Sequence, residues 1–303
     1  MRAAIWVVLV VLLTAPLSAA EPGADRTPQL VRMVTPKRIA PHRFAVIEVR
    51  GAERATLHVN GTRVGGELRT DRRLRFRARY GWEPRKRYRI RVTATDAAGN
   101  VRRFSATIRA RNFRIVTVAT RDLTRPGRTC GYVHLRPRHF RPGTAPLAIG
   151  DSVMLGAAWR LTHTGFETDT LCGRSPRAGI ATLRRRRHRG TLPEIVAVGL
   201  GTNATMSYAD VGAMLRVLGQ RRKLLLVTAT RHWRSVSGAP MRRAARRHPR
   251  RVALVDWAAL AHGHPAWLWG DGTHLRPRGL PGYTRLLHAV AWRGLRGRYV
   301  LRR

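Results

Sequence analysis

The hydrophobic pattern of this 303-residue chain changes near Ala145, and this change constrains the fold more than any other feature. From about Leu30 to Arg109, apolar residues alternate with polar ones, as in Tyr88-Arg89-Ile90-Arg91-Val92, and this period of two is typical of half-buried strands. Beyond Ala145, short continuous apolar runs alternate with amphipathic stretches. That pattern favours a parallel sheet covered by helices on both faces. The sequence therefore predicts an all-β region followed by an α/β region.

Turn signals divide the first region into short strands. Asn60-Gly61 lies between two alternating segments and favours a tight hairpin turn. Several strands at near-regular spacing predict a small β-sandwich over residues 27–110. The segment from Val92 to Asn100 resembles the end of bacterial immunoglobulin-like modules, so we expect an immunoglobulin-like sandwich here.

Five apolar runs in the second region predict a flavodoxin-like parallel sheet of five strands. The runs begin at Pro146, Phe166, Ile195, Leu224 and Val252. In such sheets, ligands bind beyond the carboxyl ends of the strands. We expect this α/β domain to span residues 145–303. Residues 111–144, rich in Arg and Pro, are predicted to be a linker with some strand content.

The N-terminus predicts export. An apolar run from Ala3 to Leu17 follows Arg2 and leads to small residues near Ala20, which is typical of a secretory signal peptide over residues 1–20. An uncleaved anchor is the alternative. We expect the protein to be secreted or bound to the cell surface. The two cysteines, Cys130 and Cys172, are a disulfide candidate in an oxidising compartment, with two free thiols as the alternative.

The chain carries 59 Lys and Arg against 16 Asp and Glu, for a formal net charge of +43. Such a charge attracts polyanions, which makes anionic cell-wall polymers candidate partners. A codon bias toward Arg accounts for it equally well, because the arginines are scattered over the whole chain. No aromatic residues interleave with the densest run, Arg184 to Arg187, so we expect no specific nucleic-acid binding. We also expect a monomer.

Four polar motifs follow predicted strands of the α/β region. They are Gly150-Asp151-Ser152, Cys172-Gly173-Arg174, Gly201-Thr202-Asn203 and, before the last helix, Gly270-Asp271-Gly272-Thr273-His274. Because the carboxyl ends of parallel strands share one edge, we expect all four motifs to converge there. Each motif alone is equally consistent with an ordinary turn or helix cap, whereas four in this order favour a functional site.

The residue types in these motifs suit acyl transfer. A serine hydroxyl such as that of Ser152 needs a base to act as a nucleophile, and His274 can take its proton. Asp271, three residues earlier, is spaced to orient the imidazole. The N–H groups of Ser152 and Gly173 and the side-chain amide of Asn203 are candidate donors to a tetrahedral oxyanion.

With these motifs, the region from Ala145 onward resembles the SGNH (GDSL-type) hydrolase family, especially the domains of secreted bacterial cell-envelope esterases and acyltransferases. Ser152 matches the nucleophile of the first block and Gly173 the glycine of the second. Asn203 matches the third block, and Asp271 and His274 match the last. The family's usual leucine after Gly-Asp-Ser is replaced by valine in this chain.

The resemblance and the predicted export together imply a function. We expect a serine esterase that acts on O-acyl, specifically O-acetyl, esters of cell-envelope carbohydrate through a Ser152–His274–Asp271 triad. The oxyanion hole would use Ser152, Gly173 and Asn203, and we expect neither a cofactor nor a metal. The alternatives are an O-acyltransferase of the same fold and a non-catalytic surface protein that binds polyanions.

Overall fold

A computed structural model of the chain describes residues 30–69, 72–78, 82–84, 86–122, 131–293 and 299–302. The predicted signal peptide, residues 1–20, lies outside this range, as does Cys130. The signal peptide and the disulfide with Cys172 therefore stay predictions. No helix in the described part of the chain has both the length and the apolar character needed to cross a bilayer.

Among its described residues, the first region contains strands and no helix. In chain order they are β1 (Leu30–Met33), β2 (Arg38–Ile39), β3 (Ala45–Arg50), β4 (Arg54–Val59), β5 (Thr62–Arg63), β6 (Leu68–Arg69), β7 (Arg72–Ala78), β8 (Arg87–Thr95) and β9 (Val101–Ala110). The predicted alternation is present in β8, where Tyr88, Ile90 and Val92 are buried and the arginines between them are exposed. The predicted hairpin turn at Asn60-Gly61 joins β4 to β5, and both residues have positive φ.

The second region combines strands and helices. Its elements are β10 (Ile115–Asp122), β11 (Gly131–Pro137), β12 (Leu147–Gly150), α1 (Ser152–His163), β13 (Glu167–Leu171), α2 (Pro176–His188), β14 (Ile195–Gly199), α3 (Tyr208–Leu218), β15 (Lys223–Val227), β16 (Ala229–Arg231), β17 (Arg234–Val236), α4 (Gly238–Arg247), β18 (Val252–Val255), α5 (Trp257–His262) and α6 (Leu280–Arg293). A 3-10 turn, Pro265–Trp267, precedes the last loop, and a final strand, β19 (Tyr299–Arg302), follows α6.

The central sheet is mixed and has seven strands, in the order β10-β11-β13-β12-β14-β15-β18. Its five strands β12, β13, β14, β15 and β18 are parallel and, numbered along the chain, lie in the flavodoxin-like order 2-1-3-4-5. The predicted five-stranded parallel sheet was therefore too small. Strand β11 pairs antiparallel with β13, which would otherwise be an edge strand, and β10 pairs antiparallel with β11.

Two apolar cores hold this sheet between helices. Helices α1, α5 and α6 contribute side chains to the core on one face, and α2, α3 and α4 contribute to the core on the other. Strand β14 is buried along its whole length, as a strand covered on both faces requires. The carboxyl ends of the parallel strands are left uncovered by this layering, and the site lies there.

The domain boundaries differ from the prediction at two places. Residues 115–122 and 131–137, predicted to belong to a linker, are strands β10 and β11 of the seven-stranded sheet. The C-terminal strand β19 pairs with β7 and completes a four-stranded sheet, β1-β3-β7-β19, that lies outside the predicted α/β domain. The remaining strands form the order β2-β9-β8-β4-β5, with β6 beside β4, and one apolar core joins both sheets.

Candidate active site

The turn between β12 and α1 presents Ser152 at a helix N-terminus. Asp151 is the N-cap of α1, and its Oδ1 accepts a hydrogen bond from the N–H of Val153 at 3.0 Å. Ser152 is the first helical residue, so its own N–H has no intrahelical acceptor and lies at the positive end of the helix dipole. A Cβ at Gly150 would lie 2.2 Å from the Cβ of Met154, so this tight turn requires glycine.

The loop before α6 brings a histidine to that serine. His274 Nε2 lies 2.9 Å from Ser152 Oγ, and His274 Nδ1 lies 2.6 Å from Asp271 Oδ2. Because an ionised carboxylate only accepts hydrogen bonds, Nδ1 carries the proton, and Nε2 is left to accept the serine hydroxyl. The structure thus joins the three predicted residues in one chain of hydrogen bonds.

The Asp271 carboxylate is held in its charged form. Burial raises the pKa of Asp271, but hydrogen bonds from the His274 side chain and from the backbone N–H groups of His274 and Thr273 outweigh it, so its pKa lies below the ordinary value. The two backbone bonds, at 3.0 and 2.9 Å, both end on Oδ1. Asp271 is therefore ionised at neutral pH and can stabilise a positive charge on the imidazole.

Asp151 connects the turn that carries Ser152 to the loop after β14. The Thr202 hydroxyl donates to Asp151 Oδ2, and Asn203 Nδ2 lies 3.5 Å from the same oxygen and 3.2 Å from Thr202 Oγ1. Burial raises the pKa of Asp151, and the bonds from Thr202 and Val153 act in the opposite direction. The predicted oxyanion donor Asn203 is thereby held next to the residue that precedes Ser152. Thr202 has a positioning role that sequence analysis did not assign.

Gly173 lies on the same edge of the sheet, after β13. Its φ is +71°, a Cβ at this position would meet no atom within 4 Å, and its N–H makes no hydrogen bond within the part of the chain described. The next residue, Arg174, is buried and bonds the carbonyl of Gly150 at 3.3 Å and Asp169 Oδ1 at 2.7 Å. Arg174 therefore ties β13 to β12, the strand that precedes Ser152. In the sequence, the one indication of this role is that Arg174 follows Gly173 in the second motif.

Comparison with known proteins gives one curated relative and several solved structures. No model of a protein family matches the chain. Over 144 residues, 46% of the chain, it is 30% identical to the putative peptidoglycan O-acetyltransferase YrhL of Bacillus subtilis (strain 168). The chain spans only 23% of the length of that relative.

Two solved structures are similar to about half of the chain. The C-terminal catalytic domain of Streptococcus pneumoniae peptidoglycan O-acetyltransferase A (OatA), with a methylsulfonyl adduct, is 20% identical, with a TM-score of 0.46, over 54% of this chain and 99% of that one. A member of the lipolytic G-D-S-L family from Veillonella parvula is 13% identical, with a TM-score of 0.39, over 48% of this chain and 97% of that one.

Proposed function

We propose that this protein is a serine-dependent O-acyltransferase of the SGNH type that places an acetyl group on a hydroxyl of cell-envelope carbohydrate. The observation that carries the proposal is the chain of hydrogen bonds from Ser152 through His274 to Asp271. The name of the curated relative supports transfer to peptidoglycan over the hydrolysis that sequence analysis ranked first. The predicted signal peptide would deliver the enzyme to that substrate.

The first half of the reaction forms an acyl-enzyme. Ser152 Oγ attacks the carbonyl carbon of a donor ester while its proton passes to His274 Nε2, and Asp271 stabilises the resulting imidazolium. The N–H groups of Ser152 and Gly173 and the Asn203 amide are the proposed donors to the oxyanion. The carbon–oxygen bond to the donor then breaks, His274 protonates the departing alcohol, and the acyl group remains on Ser152.

The second half passes the acyl group to an acceptor. A sugar hydroxyl gives its proton to His274 Nε2 and attacks the acyl carbon, after which the bond to Ser152 breaks and Oγ regains the proton. Water in place of the sugar gives hydrolysis by the same steps. Hydrolysis of a small ester is therefore the partial reaction through which the site can be assayed.

Replacing Ser152 with Ala tests the nucleophile. We expect Ser152→Ala to abolish labelling by a fluorophosphonate and to reduce hydrolysis of p-nitrophenyl acetate to background, because Ser152 supplies the one hydroxyl bonded to the His274 side chain among the described residues. Ser175→Ala, at the N-cap of α2, is the matched control and should still label. Full labelling of Ser152→Ala would show that another residue is the nucleophile.

The balance between transfer and hydrolysis needs a separate assay. The purified protein is given an acetyl ester with and without a soluble peptidoglycan fragment, and the acetylated sugar and free acetate are measured by mass spectrometry. We expect the sugar to take most of the acetyl groups when it is present. If only free acetate were released at every sugar concentration, the protein would be an esterase and not an acyltransferase.

A further inference from the structure

Two tryptophans next to the proposed site are exposed to an unusual degree. Trp233 is 46% exposed and Trp269 is 50% exposed, whereas Trp82 and Trp257 are buried in the two regions of the fold. A single exposed indole, such as that of Trp159, is ordinary, whereas exposed indoles on neighbouring segments form the kind of apolar patch that is typical of a binding surface. Neither residue takes part in the chain of hydrogen bonds from Ser152 to Asp271.

Trp269 is joined to the loop that carries His274. Its N–H donates to the carbonyl of His274 at 2.9 Å, and its carbonyl accepts from the N–H of Gly272 at 2.9 Å. The guanidinium of Arg276 lies over its ring, 5.0 Å from the centroid. Main-chain hydrogen bonds thus join Trp269 to the residue that is the proposed base, and a cation lies over its ring.

Trp233 reaches the same loop from the hairpin β16–β17. The two residues at its tip, His232 and Trp233, have φ of +48° and +64°, a conformation that a two-residue hairpin turn normally gives to Asn and Gly. The Trp233 N–H donates to the carbonyl of Gly272 at 3.2 Å, and a Cβ at Gly272 would lie 2.4 Å from the Trp233 nitrogen. A strained turn therefore carries a large exposed ring, and its close contact requires glycine in the partner loop.

The surroundings of the two rings are cationic. Arg231 and Arg234 flank the hairpin tip, and Arg276 and Arg278 follow His274; all four are exposed. Within the described ranges, none of the four makes an ion pair with a carboxylate. The carboxylate of this loop, Asp271, is already bonded to His274. The surface therefore offers flat apolar faces together with unpaired positive charge.

From these contacts we propose that Trp233 and Trp269 are a platform for an acidic glycan strand, the acceptor of the acyl group. Sugar rings present apolar C–H faces that stack on indoles, and their carboxylates would be attracted by the four arginines. Because both rings contact the loop that carries His274, a strand lying on them brings its hydroxyls toward Ser152. This inference rests on the proposed function for the identity of the acceptor, and it assigns the residues that select it.

Binding to an inactive protein tests the platform without relying on catalysis. The affinity of Ser152→Ala for a soluble muropeptide tetrasaccharide, which is acidic, is measured by calorimetry and compared with chitotetraose, which is neutral. We expect Trp233→Ala or Trp269→Ala in that background to weaken tetrasaccharide binding by at least tenfold. We expect the acidic sugar to bind several-fold more tightly than the neutral one, with the difference lost at 0.5 M NaCl.

A matched control and a conservative variant separate binding from folding. Trp159 is also exposed, at 54%, but lies two helical turns beyond Ser152 in α1, so Trp159→Ala should change the affinity less than twofold. Trp233→Phe keeps an aromatic face and should retain most of the wild-type affinity. It tests the platform even if Trp233→Ala folds poorly. The platform would be overturned if the folded double variants, which carry Trp233→Ala or Trp269→Ala beside Ser152→Ala, bound the tetrasaccharide as tightly as Ser152→Ala alone.

The active enzyme gives a second readout. In proteins that retain Ser152, Trp233→Ala and Trp269→Ala should lower kcat/KM for acyl transfer to the tetrasaccharide at least tenfold more than kcat/KM for hydrolysis of p-nitrophenyl acetate. The loss should arise from a higher KM for the tetrasaccharide. Equal losses on both substrates would indicate a merely structural role and overturn the platform. A different outcome is that the wild-type protein binds the tetrasaccharide through its tryptophans but is not labelled by a fluorophosphonate. That result would overturn the proposed acyltransferase activity and support the tryptophan platform.

Discussion

At the scale of single residues, two aspartates near Ser152 differ in role because their surroundings differ. Asp271 is 42% exposed, keeps a pKa below its ordinary value and contacts the imidazole. Asp151 is buried, its pKa is raised, and it bonds to Val153 at the start of α1 and to Thr202 and Asn203 in the loop after β14. The first suits charge stabilisation and the second suits positioning.

Asn203 is the residue whose proposed role is most open to test. We expect Asn203→Ala to lower kcat for p-nitrophenyl acetate by about 100-fold or more, because one oxyanion donor is lost. KM and the melting temperature should change little. Thr205→Ala in the same exposed loop is the control and should keep normal turnover. If the Asn203→Ala enzyme turned over at the wild-type rate, its amide would have no part in the oxyanion hole.

At the scale of elements, β13 shows how a strand can be both charged and buried. Glu167 and Asp169 are nearly inaccessible to solvent, and Arg186 of α2 reaches both, at 2.8 and 3.0 Å. His134 of β11 adds a contact to Glu167 at 2.8 Å, and Arg174 binds Asp169. This network joins α2 to β13 and to its neighbouring strand β11, since Arg186 also lies 3.1 Å from His134 Nε2, and through Arg174 it reaches the residue after Gly173.

Arg186 should therefore dominate the stability of this network. Arg186→Met leaves two buried carboxylates short of a partner and should cost about 3–5 kcal/mol in the free energy of unfolding. The exposed neighbour Arg184, changed to Met, is the control and should cost less than about 0.5 kcal/mol. Urea unfolding monitored by circular dichroism measures both values, and similar costs for the two variants would exclude the network as a major source of stability.

The same network predicts how stability depends on pH. Burial raises the pKa of Glu167 and of Asp169, but His134 and Arg186 at the first and Arg174 and Arg186 at the second outweigh it, so both values lie below normal. Groups with lowered pKa in the folded state stabilise it above the unfolded pKa, near 4, and lose that effect as the pH falls through the folded pKa. Acid unfolding should thus begin at a higher pH in Arg186→Met than in the wild type, and identical acid midpoints would contradict this account.

At the scale of the whole molecule, the net charge of +43 opposes folding by self-repulsion. Two deeply buried carboxylates, Glu48 and Glu167, are already paired with arginines. With 59 Lys and Arg against 16 Asp and Glu, most of the positive charge has no carboxylate to neutralise it. Salt screens exposed charges more strongly than buried ones. As the ionic strength rises, the repulsion between exposed arginines should therefore weaken faster than the attraction within the buried ion pairs.

We therefore expect added NaCl to stabilise the folded protein. The melting temperature should rise by a few degrees between about 0.02 and 0.3 M NaCl, where the Debye length falls from tens of ångströms to a few. Glucose at the same osmolality does not screen charge and serves as the control in a calorimetric scan. A melting temperature that fell with NaCl would mean that ion pairs outweigh repulsion in this chain.

Much of the architecture could be predicted because its signals are local. The apolar runs that begin at Ile195 and Leu224 are buried strands, and the amphipathic stretch from Ala209 to Leu218 is a helix. Strands β10, β11 and β19 could not be placed in this way. Their pairing depends on which edge strands are left open by the rest of the fold, and no residue within the three strands encodes that. The hairpin β16–β17 was missed because His232-Trp233 is an unusual turn pair.

The sequence by itself determined the chemistry that this protein can offer: a serine after Gly-Asp, an aspartate three residues before a histidine, and an asparagine after Gly-Thr. Only the tertiary structure decided that these groups meet. Ser152 and His274 are 122 residues apart, and their contact at 2.9 Å depends on strand order and on the packing of α1 against α6. Local motifs arise from interactions within a few residues, whereas the distance between motifs is set by the burial of the sheet between its two helical layers.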